Sequence, residues 1–242
     1  MPNKILITGK NGFLAKNANE YFTKKGYEIL LVSHNDSDKL LEKYCQECDY
    51  VFHFAAVQRS DKYEDFYQGN VEYTKKLIYF LSSSNKNPKI IFSSSIAIDR
   101  ESYFSETKKE AEKILREYAK KRNAKLYVFK LNNIFGKYGK INFNNVVATF
   151  CYNVSHDLPI TINNPAALIP LSYVEDVMDE ISLYLDKEEI VSENYIELSK
   201  QATKSLGEIV YYMGLIKQNV KLKDDEFYCN LLKSYEYYEG LS

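Results

Sequence analysis

Charge of one sign is what this sequence most plainly lacks: 32 Lys and Arg stand against 33 Asp and Glu in 242 residues, a formal net charge of −1. No overall field gathers nucleic acid or an anionic membrane surface, so partners must be recognised locally. Apolar runs long enough to span a bilayer are also missing. Met1-Pro2-Asn3-Lys4 leads straight into an apolar run with no charged, apolar and small-residue leader, which predicts a cytoplasmic protein. Cysteines are few, and Cys45, Cys48, Cys151 and Cys229 make no disulfide framework in a chain of this length. Cys45 and Cys48 form a C-x-x-C, but no second pair follows and only three histidines are present, so two reduced cysteines closing a helix are expected rather than a metal site. Internal repeats, low-complexity stretches and flexible linkers are absent as well.

What is present is 45% apolar content, enough to bury a core of one large domain or one and a half. The run Ile5-Leu6-Ile7-Thr8-Gly9-Lys10-Asn11-Gly12-Phe13-Leu14-Ala15 is a short apolar strand that empties into a glycine turn opening a helix. Such a turn is suited to a pyrophosphate. Gly9 can take positive φ, Gly12 has no Cβ to block close approach of a phosphate to the helix N-terminus, and Ala15 is small enough for tight helix–strand packing. Glycine spacing alone would equally suit an ordinary strand-turn-helix connection. Its place directly after the first strand of an alternating pattern favours dinucleotide binding.

Apolar strands are expected at Lys4–Thr8, Tyr27–Val32, Tyr50–Phe54, Lys89–Ser93, Lys125–Leu131 and Tyr195–Leu198, with helical segments between them. Alternation of this kind implies an α/β fold, a doubly wound parallel sheet of Rossmann type. After Leu131 the alternation lapses; a helix near Val146–Asn153 and a short strand at Ile160–Ile162 are expected in a small substrate-binding lobe. The predicted division is residues 1–132 with 166–200 for the dinucleotide domain, and 133–165 with 201–242 for the lobe. Ser205-Leu206-Gly207-Glu208 has the form of a capping box before a helix at Ile209–Ile216, and the segment from Lys221 to the end is too aromatic to be disordered.

Four signatures fall in order: Thr8-Gly9-x-x-Gly12-x-x-Ala15, Asp49-x-Val51-x-His53-x-Ala55-Ala56, Asn70-Val71, and Tyr173-Val174-x-Asp176-Val177. In them the chain resembles the extended short-chain dehydrogenase/reductase family nearly end to end. Ser93–Ile96, Asn133–Lys137 and Asn144–Tyr152 are similar to the reductase half of bifunctional capsular-polysaccharide enzymes acting on UDP-linked 4-keto-6-deoxy amino sugars. Those enzymes continue into a metal-binding cupin domain that epimerises. The sequence stops short of one, so that activity is not carried over.

The resemblance implies a serine or threonine at the end of the fourth strand, and a tyrosine with a lysine four residues later, about one helical turn. The lysine holds the nicotinamide ribose and lowers the phenol's pKa, and the phenol exchanges a proton with the sugar oxygen while hydride moves. Ser95 fits the first role and Lys108 the last, but the tyrosine slot holds Phe104. Tyr103 is one residue off, turned roughly 100° away on a helix. Three readings are open: an introduced Tyr-to-Phe substitution; a natural variant in which a bulge brings in Tyr103 or water donates the proton; and a relative that binds a nucleotide sugar without turning it over.

The same resemblance makes Thr8, Gly9, Asn11, Gly12, Phe13 and Leu14 the coenzyme loop, with Phe54, Ala55, Ala56, Lys108 and Leu131 lining the rest of that groove. The corner after the second strand reads Ser33-His34 where members preferring NAD carry an acid, so NADP is expected, NADPH over NADH, tempered by nearby Asp36 and the lack of arginine. His34 reads equally as an exposed loop histidine, and His53 as a satisfied core histidine. Arg59 is a candidate for a phosphate or an ordinary solvated arginine. Asn133 and Asn144 match sugar-nucleotide positions, and read otherwise as turn formers. Ile96-Ala97-Ile98 replaces the acid pair that dehydratases carry after the serine. The expected activity is therefore NADPH-dependent reduction of the 4-keto group of a nucleotide-linked, UDP-linked N-acetylated 6-deoxyhexose, impaired by Phe104. Alternatives are a non-catalytic sensor and an epimerase. No metal, nucleic acid or membrane partner is expected, and the resemblance implies a homodimer.

Overall fold

A computed structural model describes residues 2–187 and 194–241. The chain divides into two compact units, residues 1–131 with 180–197, and residues 132–179 with 198–242. The expected dinucleotide segment 166–200 runs through residues 188–193, which lie outside the described residues.

The first unit carries β1 (Lys4–Thr8), α1 (Phe13–Lys24), β2 (Glu28–Val32), α2 (Asp38–Glu47), β3 (Tyr50–His53), α3 (Tyr63–Phe66), a π-helical turn (Tyr67–Glu72), α4 (Tyr73–Ser83), β4 (Lys89–Ser95), a 3₁₀ turn (Ile96–Asp99), α5 (Tyr103–Arg122) and β5 (Leu126–Leu131). A six-stranded sheet runs β2-β1-β3-β4-β5-β8, with β8 (Tyr195–Ile196) at one edge and every pairing parallel. Parallel strands need crossovers and are covered on both faces, which is why they read as continuous apolar runs. Alternate residues serve the two faces. Leu6, Val51, Ile90, Phe92, Leu126 and Val128 join a core with Leu41 and Cys45 of α2, Leu77 and Leu81 of α4, and Ala111 and Leu115 of α5. On the opposite face Phe52 meets Phe22 of α1 edge-on at 4.9 Å, and Tyr127 and Phe129 each meet Tyr184 at 5.2 Å. Tyr184 belongs to α7 (Val174–Leu185), whose residues from Glu180 onward lie in this unit.

Cys45 and Cys48 sit at the end of α2 as buried free thiols within that core, and burial pushes both pKa values up. They are apolar filling, reduced and unreactive.

The second unit contains a three-stranded sheet, β6 (Asn133–Phe135), β7 (Leu168–Tyr173) and β9 (Ala202–Ser205), in the order β6-β7-β9, parallel then antiparallel. Around it lie α6 (Val146–Ser155), α8 (Leu206–Lys217) and α9 (Glu226–Glu239). The capping box is present: Ser205 Oγ accepts from the Glu208 N–H at 3.1 Å while Glu208 Oε2 accepts from the Ser205 N–H at 2.7 Å. The strand expected at Ile160–Ile162 does not form. Pro159 before it has no N–H to give a ladder, and Asn163-Asn164-Pro165 turns the chain directly after it. The sheet is built instead from Leu168–Tyr173, whose Pro170 masks it in the sequence. Among the described residues no helix is long and apolar enough to cross a membrane.

Phe22 is fully buried between α1 and the sheet. Phe22→Ala should lower the unfolding free energy by about 3–5 kcal/mol, read as a shift of the urea midpoint with unchanged slope.

Candidate functional site

In the strand order β2-β1-β3, chain direction across the sheet reverses at β1 and β3, so their carboxyl ends flank the crevice where ligands bind in open α/β sheets. Gly9 lies there with φ +75°, and a Cβ added to it would stand 2.9 Å from Ala55 Cα and 3.0 Å from Ala55 N. Both backbone conformation and close approach therefore require glycine. The Gly12 N–H closes the turn onto Gly9 O at 2.7 Å. Gly12 is also the N-cap of α1; no side chain caps that helix and its first turn carries no acid. The first-turn N–H groups and the positive end of the helix are thus left to an anion.

A buried polar chain fixes this crevice. Thr8 Oγ1 accepts from the Ala55 N–H at 3.1 Å and lies 2.8 Å from His53 Nδ1; His53 Nε2 lies 2.8 Å from Thr74 Oγ1, which donates to Asn70 O at 2.6 Å. Each hydroxyl has one proton. Thr74 spends its own on Asn70 O, so His53 Nε2–H donates to Thr74 and Nδ1 accepts from Thr8. The imidazole is neutral, its pKa pushed down to about 3 by burial and then by the nearby Lys108 charge. Asn70, in the π-helical turn, continues the chain: it accepts from the Val57 N–H at 2.7 Å and donates to Thr107 Oγ1 at 3.0 Å. His53 is a satisfied core histidine.

Thr107 precedes Lys108 on α5. That helix starts cleanly, with Ser102 and Ser105 exchanging side-chain-to-backbone hydrogen bonds in a capping box, and is α-helical from Tyr103 onward. No bulge carries Tyr103 towards Lys108. Its ring, 52% exposed, packs edge-on against Tyr63 at 5.4 Å and near Phe66 of α3. Phe104 is half-buried and holds the position one turn before Lys108.

Lys108 is 3% exposed. Among the described residues its ammonium has no hydrogen-bond or ion-pair partner, and it lies 4.1 Å from the centre of the Phe92 ring. Burial pushes its pKa down to about 7, opposed by the charge of Glu112 one turn further on. Glu112 is itself buried, held by Ser94 Oγ at 3.1 Å and by Arg116 Nε and Nη2 at 3.1 and 2.8 Å. Ser95, half-buried at the last position of β4 and level with Leu131 on β5, uses Oγ to accept from the Ala97 N–H at 3.1 Å, leaving its proton to donate. The strand end thus offers a hydroxyl donor, and the helix beside it a nearly buried lysine amine that makes no hydrogen bond or ion pair among the described residues.

The remaining candidates are placed as follows. Asn11 and Gly12 are exposed on the loop, Phe13 and Leu14 are half-buried in the first turn of α1, Phe54, Ala55 and Ala56 are half-buried after β3, and Arg59 is exposed beyond them. Ser33 is buried and its hydroxyl donates to Asp36 Oδ2 at 3.0 Å, while His34 is exposed. Asn133 and Asn144 belong to the second unit; both are exposed, and Asn133 Nδ2 donates to Pro170 O at 3.0 Å. Sequence reasoning overlooked Lys10, which reaches Asp36 at 2.8 Å; Thr107, whose hydrogen bond to the signature residue Asn70 joins distant segments; and Glu112, which its spacing of four from Lys108 could have revealed.

The profile of the NAD dependent epimerase/dehydratase family matches residues 5–196. The chain belongs to that family. A UDP-2-acetamido-2,6-beta-L-arabino-hexul-4-ose reductase from Pseudomonas aeruginosa is 32% identical over 207 residues, 85% of this chain and 55% of that protein. The crystal structure of the capsular polysaccharide assembling protein CapF from Staphylococcus aureus superposes with a TM-score of 0.87 at 30% identity, over 97% of this chain and 65% of that one. UDP-glucuronic acid 4-epimerase from Bacillus cereus, in complex with NAD, superposes with a TM-score of 0.82 at 15% identity, over 98% of each chain, a likeness of fold alone. The chain therefore spans about half the length of the curated relative and two thirds of CapF.

The neutral His53 makes stability depend on pH. Unfolded, the imidazole titrates near 6.5 and folded near 3, so below about pH 6.5 the unfolded chain binds one proton more. This contribution is complete above pH 6.5 and is lost as pH falls towards 3, by roughly 1.4 kcal/mol per unit in the limiting range. Urea titrations between pH 7 and 5 should show that loss, and His53→Asn should flatten it while lowering stability at pH 7.

Proposed function

We propose that this chain is an NADPH-dependent reductase of the 4-keto group of a UDP-linked, N-acetylated 6-deoxyhexose in surface-polysaccharide synthesis, slowed by Phe104. The observation that carries the proposal is Lys108, nearly buried and without a hydrogen-bond or ion-pair partner among the described residues, on the helix that follows Ser95. A nearly buried amine without a hydrogen-bond partner is better satisfied when a ligand supplies acceptors. The cradle fits such a ligand: Gly9 packs too closely on Ala55 for any side chain, and α1 begins uncapped. The names of the P. aeruginosa reductase and of CapF support the sugar class.

Bound NADPH would supply hydride to the carbonyl carbon. Gly9, Gly12 and the start of α1 would hold its diphosphate, with Thr8, Asn11, Phe13, Leu14, Phe54, Ala55, Ala56 and Leu131 shaping the groove. Lys108 would hold the nicotinamide ribose hydroxyls. Ser95 would donate its hydroxyl proton in a hydrogen bond to the sugar's keto oxygen, stabilising the charge that develops there. Phe104 has no hydroxyl and Tyr103 faces α3, so neither would protonate that oxygen, and the proton that completes the alcohol would come from water. In the second unit, Asn133 and Asn144 are the proposed contacts to the sugar nucleotide, and Arg59 of the first unit the proposed phosphate contact. We further propose that the protein works in the cytoplasm as a homodimer, which its mass in solution tests.

Phe104 favours one second reading, a nucleotide-sugar sensor that binds without turnover. Following NADPH absorbance with a UDP-4-keto-6-deoxy sugar separates the two. Phe104→Tyr should raise kcat by about 10²–10⁴, the usual worth of a positioned general acid, and Lys108→Met should abolish NADPH binding or weaken it at least ten-fold. Saturable binding of both ligands with no turnover by either the native chain or Phe104→Tyr would establish the sensor.

A further inference from the structure

The corner after β2 contains an ion pair that neither the glycine motif nor the serine and histidine there explain. The Lys10 N–H donates to Val32 O at 3.1 Å, laying the glycine turn against the end of β2. From that anchor the Lys10 ammonium reaches Asp36 Oδ1 at 2.8 Å. Asp36 is committed on its other oxygen too, since Oδ2 accepts from the Ser33 N–H at 2.7 Å and from Ser33 Oγ at 3.0 Å. These contacts, Lys10 foremost, lower the Asp36 pKa to about 2, so the carboxylate is ionised throughout the working range.

In this fold the end of β2 faces the adenosine ribose of a bound dinucleotide, and an acid that selects NADH does so by accepting from the ribose hydroxyls. Asp36 is poorly placed for that task, because its oxygens are already shared among a backbone N–H, a hydroxyl and an ammonium. Lys10 is not used up in the same way. Its side chain is one third exposed, it carries three donors on a flexible stem, and Asp36 takes one of them.

Building on the reading of this groove as a coenzyme site, we propose that Lys10 recognises the 2′-phosphate of NADPH, and that Asp36 is the counter-charge that holds Lys10 at the corner and moderates the preference. Ser33 then acts indirectly, by fixing Asp36. The exposed His34 is a secondary contact. Because the incoming phosphate meets one cation and one anion side by side, selectivity rests on the difference between two opposing charges, and removing either shifts it in a known direction.

The dissociation constants of NADPH and NADH are to be measured on the full chain by calorimetry at fixed ionic strength. The native chain should bind NADPH about ten-fold more tightly, the scale of one charge-assisted hydrogen bond. Lys10→Gln should bring the ratio of the two constants to within about two-fold of unity, whereas Asp36→Asn, which keeps an acceptor for Ser33, should widen it. Opposite shifts from adjacent substitutions exclude a general loss of folding as the cause. An unchanged ratio in Lys10→Gln, a narrowed one in Asp36→Asn, or equal binding of both coenzymes by the native chain overturns the assignment of Lys10 alone. Binding of neither coenzyme overturns the coenzyme site itself, and this inference with it.

Discussion

The line of hydrogen bonds from Thr8 through His53 and Thr74 to Asn70 is the constraint on which the rest of the first unit depends. It is buried, so every member must be satisfied from within, and it runs in one direction because each hydroxyl has a single proton to give. One end sits in the glycine turn, where Thr8 also receives the Ala55 N–H. The other reaches α5 through Asn70 and Thr107. Four segments distant in sequence are thereby held in one register: the turn after β1, the loop after β3, the π-helical turn before α4, and the start of α5. A π-helical turn inside a longer helix is uncommon and is retained where it re-aims a side chain. Here it brings Asn70 to both Val57 and Thr107.

α5 is the second organising element, since four of its residues stand at intervals of four. Phe104, Lys108, Glu112 and Arg116 follow one another along a stripe that turns slowly around the helix. The upper part of that stripe carries Lys108, which makes no hydrogen bond or ion pair among the described residues. The lower part is closed by Arg116 on Glu112, with Ser94 adding a bond from the strand. Glu112 thus has its own ion-pair partner in Arg116, while its field opposes the lowering of the Lys108 pKa by burial. Burial thus lowers the Lys108 pKa well below that of a free lysine, and Glu112 limits the drop. Any ligand oxygen accepting from it would raise that pKa and fix the charge.

Those parts of the fold that rest on local pattern were legible in the sequence. β1 has the expected bounds, β2 and β3 agree to within one residue, and the capping box at Ser205 and Glu208 is present because four adjacent residues contain all its chemistry. The reduced cysteines were readable for the same reason. What escaped is long-range. β7 contains Pro170 and alternates poorly, β6 and β9 are three and four residues long, and each is a strand only because the others pair with it. The run Ile160–Ile162 had the stronger local signal and no room between a proline and a turn to use it. At the proposed site, Ser95, Phe104 and Lys108 came forward from the family resemblance, and they stand at the end of β4 and one turn apart on α5. Lys10 did not, because its meaning lies in a contact with Asp36 across 26 residues.

Phe104 brings these levels together. A phenyl ring at this position fills nearly the volume of a tyrosine, so neither the helix start nor the packing around it has reason to change, and α5 is regular across it. The hydroxyl's absence falls on the electrostatics instead. An oxygen one turn before Lys108 would be within reach of the same ligand as the ammonium, and each would stabilise the other's reactive form, the cation favouring the phenolate and the phenolate favouring the cation. Without it, the proposed reductase would keep the binding role assigned to Lys108 while its proton-transfer role would have no side chain to fill it. The proposed function therefore makes ligand affinity and turnover separable: the first would rest on the cradle at Gly9, the start of α1 and Lys108, and the second on one atom that the side chain at position 104 does not carry.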